Sequence, residues 1–186
     1  MKRIIAALAA LFFAYDQYAD PQAGAITAQN STQYGNEVAS PPVKNSTREK
    51  GGKHRLAYFS FKQNGVGDIG STCLLVTLPA GKVRLLKPDG KYVCSAFGAG
   101  RTLSLGNAAY IASDGTPVAA AVDNISDSAD VSAAAAVNMG AGANALGTDP
   151  TILFDSKNGV VLQATVEVGT IPDAATLSGY FVYVIE

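Results

Sequence analysis

The pattern of apolar and polar residues divides the chain into three parts. Residues 4–14 form a short apolar run behind Lys2 and Arg3. Residues 15–53 contain turn-forming residues every few positions and no apolar period, which is typical of an extended segment without regular structure. From residue 54 onward, short runs rich in β-branched and aromatic residues alternate with turn residues. This last pattern is typical of the strands of a sandwich or barrel.

The pattern after residue 54 predicts eight strands, at residues 55–63, 72–78, 82–86, 92–97, 102–105, 151–154, 160–168 and 179–185. Eight short strands fit an all-β domain, an antiparallel β-sandwich of jelly-roll-like form. Residues 119–147 are rich in Ala, Gly and Asp, and we expect a long surface insertion there with one or two helical turns in residues 131–137. The expected organisation is an N-terminal arm over residues 1–54 and a sandwich domain over residues 55–186.

The apolar run at the N-terminus is shorter than the roughly 20 residues that a membrane-spanning helix needs. Two interpretations remain. The run resembles a secretory signal, with a small-residue cleavage site at residues 23–25, or it is an uncleaved anchor that docks on a partner protein. We favour the anchor and expect no membrane contact in the mature protein. The expected contact residues of the anchor are Ile4, Ile5, Leu8, Leu11 and Phe12.

Charge is distributed unevenly along the chain although the net charge is only −1. Residues 1–101 hold 13 of the 14 Lys and Arg residues and six acids, whereas residues 102–186 hold one base, Lys157, and nine acids. If folding leaves the two signs on separate faces, copies of the chain attract one another. The alternative is that both signs mix on one surface.

The densest basic stretch adds five predicted interaction residues to those of the anchor. They are Lys44, Arg48, Lys50, Lys53 and Arg55. Basic side chains of this kind bind phosphates by displacing counterions. No aromatic residue lies between Lys44 and Arg55, and the pI of the chain is about 5.8. We therefore expect the stretch to bind an acidic protein surface and not nucleic acid.

Candidate catalytic chemistry is sparse. The only His is His54, without a GxSxG or cysteine-protease signature near it. Residues 65–70 match the GxGxxG spacing, but a strand-like run follows them where a dinucleotide site needs a helix, so they predict a glycine-rich connection. A hydrolase that uses two carboxylates is the remaining enzyme class, although no pair is singled out. We expect no enzyme, no catalytic residue, no metal site and no cofactor.

Two features stay open at this point. Asp123, Asp127 and Asp130 form an acidic cluster that either binds a cation such as calcium or stays solvated. Cys73 and Cys94 lie in two predicted strands and either form a disulfide or remain two buried thiols.

Four segments together resemble a class of small virion proteins of tailed bacteriophages, found beside the major capsid protein. They are residues 76–86 (VTLPAGKVRLL), 101–110 (RTLSLGNAAY), 157–166 (KNGVVLQATV) and 179–186 (GYFVYVIE). The resemblance covers residues 55–186 and not the first 54 residues. It implies a jelly-roll-like subunit without catalytic residues that decorates or cements the head shell in many copies.

On this resemblance we expect a structural virion protein on the capsid surface, made in the cytoplasm of the bacterial host. Its expected partners are the major capsid protein and its own copies, as a homo-oligomer such as a dimer or trimer. A tail, fibre or head–tail joining component is the alternative within the virion, since fold alone does not separate these roles. A secreted bacterial binding module or filament subunit is the alternative outside it.

Overall fold

The computed structural model describes residues 28–41, 54–139 and 149–186. These residues contain twelve strands and one short helix. The elements are β1 (Ala28–Asn30), α1 (Thr32–Val38), β2 (Arg55–Lys62), β3 (Thr72–Leu78), β4 (Gly81–Cys94), β5 (Thr102–Asn107), β6 (Tyr110–Ile111), β7 (Pro117–Val118), β8 (Ala121–Asp130), β9 (Ala135–Asn138), β10 (Thr151–Ser156), β11 (Val160–Val168) and β12 (Thr176–Ile185).

The strands form two main sheets that pack face to face. The first sheet has the order β1-β3-β11-β5-β8, and the second has the order β10-β4-β12-β2 with β9 on β4. All pairs are antiparallel except β1 with β3, and β6 and β7 form a separate small hairpin. The expected all-β, jelly-roll-like sandwich is confirmed. No helix in the described ranges has the length and apolar content needed to cross a bilayer.

The core lies between the two sheets because each strand turns alternate side chains inward. The second sheet contributes aromatic residues, among them Phe59 and Phe181 with ring centroids 5.2 Å apart. The first sheet contributes aliphatic residues such as Leu75, Leu105 and Leu162, all fully buried. Buried side chains of both sheets therefore form one continuous core.

Strand β4 differs from the prediction of two strands at 82–86 and 92–97. Pro88, Asp89 and Gly90 resemble a turn in the sequence, yet they form an irregularity inside one continuous strand. Along β12, Val182 pairs with Leu86 while Tyr180 pairs with Lys91, so the extra residues of β4 bulge out. The two halves of β4 pair on the same edge with β10 and with β9.

Residues 28–38 differ from the expected extended arm because they pack on the sandwich. The side chain of Gln29 donates to the carbonyl of Asn64 at 2.8 Å and accepts from its amide at 3.0 Å. Ser31 is buried, its hydroxyl donates to the carbonyl of Leu75, and its oxygen caps α1 by accepting from the amide of Tyr34. These contacts use backbone and capping groups, which leave no apolar period in the sequence.

Residues 121–138 also differ from the predicted insertion with helical turns. Strand β8 forms an edge of the first sheet, and β9 forms an edge of the second. Register shifts in β8 opposite Leu103, Leu105 and Asn107 interrupt the alternation of its side chains. Edge strands with bulges and charges carry little apolar signal, so the sequence pattern missed this strand. Residues 140–148 lie outside the described part.

The glycine-rich stretch at 65–70 is a connection between β2 and β3, as predicted. Gly67 exchanges backbone hydrogen bonds with Ile171, at 3.0 and 2.9 Å. The residues after it form β3 and not a helix, so the stretch lacks the helix N-terminus that a dinucleotide site requires.

Gly106 on β5 is expected to be intolerant of any side chain. A methyl group there would overlap the backbone of Ala121 and Val122, which crosses it at the β8 bulge. We predict that Gly106→Ala lowers the free energy of unfolding by about 1–3 kcal/mol, as overpacking does. Urea denaturation measures this change.

The matched control is Gly35→Ala in α1, where no heavy atom lies within 4 Å of the added methyl group. Alanine favours helix by up to about 1 kcal/mol over glycine, so this variant should be neutral or slightly stabilised. Equal stability of both variants would contradict the described β5–β8 crossing.

Candidate interaction surface on the second sheet

The outer face of the second sheet begins with the alternation of β2. Ala57, Phe59 and Phe61 are buried in the core, whereas Tyr58 and Lys62 are exposed on the opposite side. The first half of β2 therefore carries apolar or aromatic side chains on both faces, with Leu56 and Tyr58 on the outer side. No sheet of the described residues covers this outer side, so it presents apolar surface to whatever binds it.

The register of β12 brings further side chains beside Tyr58. Tyr180 pairs with Tyr58 on one side and with Lys91 on the other, and the two tyrosine ring centroids are 5.8 Å apart. A groove of about 540 Å³ lies here, with Val93 and Asn138 on its far wall. Tyr58 is 42% exposed and Val93 is 51% exposed. The groove therefore combines aromatic walls with one cation.

Apolar residues continue along this face toward β10. Val182 lies between Leu56 of β2 and Leu86 of β4, and Leu153 of β10 is 44% exposed. The equivalent face of the first sheet is mixed: Thr165 lies between Thr72 and Ser104, but Gln163 pairs with Leu74 and Thr77 pairs with Val161. Gln163, Thr165 and Ser104 are buried, so this face is less open than that of the second sheet.

The two sheets also carry opposite charges. The strands of the first sheet hold four acids and no Lys or Arg, whereas those of the second hold six bases and two acids. Of the two alternatives raised by the sequence, the strands therefore show the first, in which positive and negative side chains are separated. Acids lie on the first sheet at Asp123, Asp127, Asp130 and Glu167, and bases lie on the second at Arg55, Lys62, Lys82, Arg84, Lys87 and Lys91.

Within the described ranges Arg84 makes the one salt bridge. Its Nε donates to Oε1 of Glu186 at 2.5 Å, and a second guanidinium nitrogen donates to Thr151 at 3.2 Å. The hydrogen bond to Glu186 raises the pKa of Arg84 above its ordinary value. This pair is solvent-exposed, so it contributes little stability and neutralises one of the bases around the apolar face.

Most of the predicted interaction residues lie outside the described part of the chain. This applies to the anchor residues Ile4, Ile5, Leu8, Leu11 and Phe12 and to the basic residues Lys44, Arg48, Lys50 and Lys53. Arg55 is described; it begins β2, is half-buried and pairs with Tyr183 of β12. It stands on the second sheet with the other bases.

The acidic cluster is spread along β8. Asp127 accepts from the hydroxyl of Ser128 at 2.8 Å, and Asp130 accepts from the hydroxyl of Ser132 at 2.6 Å. The bond from Ser132 lowers the pKa of Asp130. Among residues 28–41, 54–139 and 149–186, no group of three His, Cys, Asp or Glu side chains is placed to hold a metal ion.

The two cysteines are free and buried. Cys73 belongs to β3 in the first sheet, and Cys94 ends β4 in the second. Burial raises the pKa of the Cys73 thiol to about 12 and also raises the pKa of Cys94. Because the thiolate is the reactive form, neither cysteine is suited to act as a nucleophile.

The sequence reasoning missed the groove residues. A signal was present in β2, where Tyr58 interrupts the alternation of a strand that already has Phe59 and Phe61 on its core side. The partners of Tyr58 were not visible, because only the register of β12 and β4 brings Tyr180 and Lys91 beside it.

In comparisons with known proteins, this chain is similar to solved structures but matches no known sequence family. No protein family model matches the sequence, and no curated protein matches it either. A chain from the capsid of Ralstonia phage GP4 is similar at a TM-score of 0.60 with 13% identity, over 86% of this chain and 99% of that one. A chain of the cyanophage Pam1 capsid asymmetric unit has a TM-score of 0.46 with 14% identity, over 77% and 93%. At this identity the Ralstonia phage likeness establishes the fold.

The buried cysteines generate a prediction about reactivity. Because Cys73 is buried and burial raises the pKa of its thiol, we expect no labelling of Cys73 by a disulfide reagent in the native protein at pH 8 and complete labelling in denaturant. Rapid native labelling would contradict the burial of Cys73.

The same shift predicts a loss of stability at high pH. A free thiol ionises near pH 9.0, whereas Cys73 in the folded protein keeps its proton to about pH 12. The contribution of this thiol to stability is therefore complete below pH 9.0 and declines as the pH rises toward 12. Urea denaturation of the wild type and of Cys73→Ala across this range measures the difference, and identical pH profiles would contradict the prediction.

Proposed function

We propose that this chain is a structural virion protein that decorates or cements the head shell of a tailed bacteriophage. In this proposal it resides on the capsid surface, binds the major capsid protein and its own copies, and has no catalytic role. It is made in the cytoplasm of the bacterial host and assembles as a homo-oligomer.

One observation carries the proposal. The likeness to the Ralstonia phage capsid chain extends over 99% of that chain and 86% of this one. The likeness therefore spans nearly the whole of that capsid chain and not a fragment of it. The sequence resemblance of residues 55–186 to small phage virion proteins supports the same role.

The outer face of the second sheet supports a role in assembly. It exposes Tyr58 on β2 and Val93 on β4, on either side of β12, and Leu153 on β10 opposite the other half of β4. Contiguous exposed apolar surface is typical of sites that bind other proteins. A subunit that functions by contact with its neighbours requires such a surface, whereas an isolated sandwich loses solubility because of it.

The N-terminal region is proposed to bind the major capsid protein. Residues 1–54 act as an arm in this account, with the apolar anchor at residues 4–14 on the shell. Strand β1 and helix α1 attach the arm to the sandwich through Gln29 and Ser31. An extended arm can complete a neighbouring sheet by strand addition, in which backbone hydrogen bonds supply much of the affinity.

Removal of residues 1–27 tests this role of the arm. The truncated chain keeps β1, α1 and every described strand, so its urea midpoint should stay close to that of the full chain. Its binding to purified heads that lack this protein should be lost or at least tenfold weaker, which co-sedimentation measures.

The matched control is Lys157→Glu in the full chain, which alters a turn residue and leaves the arm intact. It should bind the heads like the wild type. Undiminished binding of a folded truncated chain would contradict the role of the arm, and absence of binding by the full chain would contradict the proposed function itself.

A further inference from the structure

Two cations at the outer face of the second sheet, Lys62 and Lys91, have no acidic partner among the described residues. Lys62 follows Tyr58 and Ser60 on the outer side of β2, and Lys91 lies at the rim of the groove beside Tyr180. Neither lysine forms an ion pair with any residue in the described ranges. A partner for this face must therefore combine apolar side chains with negative charge.

The acidic edge of the first sheet has this combination. Strand β8 is an edge strand, and it exposes Val122, which is 38% exposed, directly before the exposed Asp123. Glu167 lies two strands inward on β11, 2.6 Å from the hydroxyl of Ser128 farther along β8, and has no basic partner among the described residues. This side of the first sheet thus offers an apolar contact at Val122 and two carboxylates, Asp123 and Glu167, without a cation.

We propose that the groove face of the second sheet binds the β8 edge of a second copy of this chain. Val122 of one copy then enters the aromatic groove of the next, and Asp123 and Glu167 approach Lys62 and Lys91. The proposal rests on the proposed function for its setting, and it names the surfaces by which copies join.

The arrangement of the sheets makes this contact head-to-tail. The two surfaces belong to different sheets of one sandwich, so a copy that uses its groove face for one neighbour keeps its β8 edge for another. Contacts between two different surfaces form a closed ring or extend as an open array. The irregular register of β8 suits side-chain docking, because its bulges disfavour the plain edge-to-edge pairing that leads to aggregation.

Charge reversal on each surface tests the proposal with the purified full chain. Lys91→Glu should weaken self-association about three- to tenfold because it places acid against acid, and Asp123→Lys should weaken it similarly because it places base against base. Both residues are exposed, so the fold is expected to tolerate the changes. Lys157→Glu changes the net charge as Lys91→Glu does but lies in the turn between β10 and β11, and it should associate like the wild type.

Mixing the two variants is the decisive step. In the mixture, the basic β8 edge of Asp123→Lys meets the acidic groove face of Lys91→Glu. The unchanged groove face of Asp123→Lys also matches the unchanged β8 edge of Lys91→Glu. The equimolar mixture should therefore associate more strongly than either variant alone, in sedimentation velocity at low salt. Added salt should weaken this association because it screens exposed charges.

Two outcomes would overturn the proposal. If Asp123→Lys self-associates as strongly as the wild type, the β8 edge is not part of the contact. If the mixture associates no more strongly than either variant alone, the two surfaces do not pair with each other. Neither outcome depends on phage heads, so failure here is distinguishable from failure of the proposed function, which binding to heads measures.

Discussion

The register of β12 between β2 and β4 determines both the core and the interaction surface. In this register Phe181 points into the core beside Phe59, while Tyr180 stands outside between Tyr58 and Lys91. A shift by one residue would exchange the two faces of the strand, because side chains alternate with a period of two. Burial of Phe181 therefore fixes the position of Tyr180. The groove therefore depends on the register of β12 that buries Phe181 in the core.

The bulge in β4 extends this constraint to the edge of the second sheet. Residues 87–90 stand against Phe181 alone, so both halves of β4 remain paired with β12. The amide of Met139 donates to the carbonyl of Gly90, and the amide of Lys87 donates to the carbonyl of Pro150. These bonds tie β9 and β10 to opposite sides of the bulge. The far wall of the groove, formed by Val93 of β4 and Asn138 of β9, thus depends on the same pairing of β4 with β12 that supports the core.

Strands with a strong apolar pattern were predictable, and strands at edges were not. The bounds of β3 and β11 agree with the predicted 72–78 and 160–168 because both strands are largely apolar runs, in which Leu78 and Leu162 are fully buried. Strand β8 lacks that signal because bulges and acids break its alternation, and β1 is held by backbone and capping bonds. The groove depends on pairing between distant strands, which a local pattern does not contain. The predicted contact residues other than Arg55 lie outside the described ranges.

Quantitative mass spectrometry of density-gradient fractions of DNA-filled particles tests most directly whether this sandwich is a structural component of the head shell, because it gives the copy number of the chain relative to the major capsid protein. We expect a copy number comparable with that of the major capsid protein, retained after washing in low salt. Absence from the particles would contradict the claim, and a few copies per particle would place the protein at the tail or the head–tail junction instead.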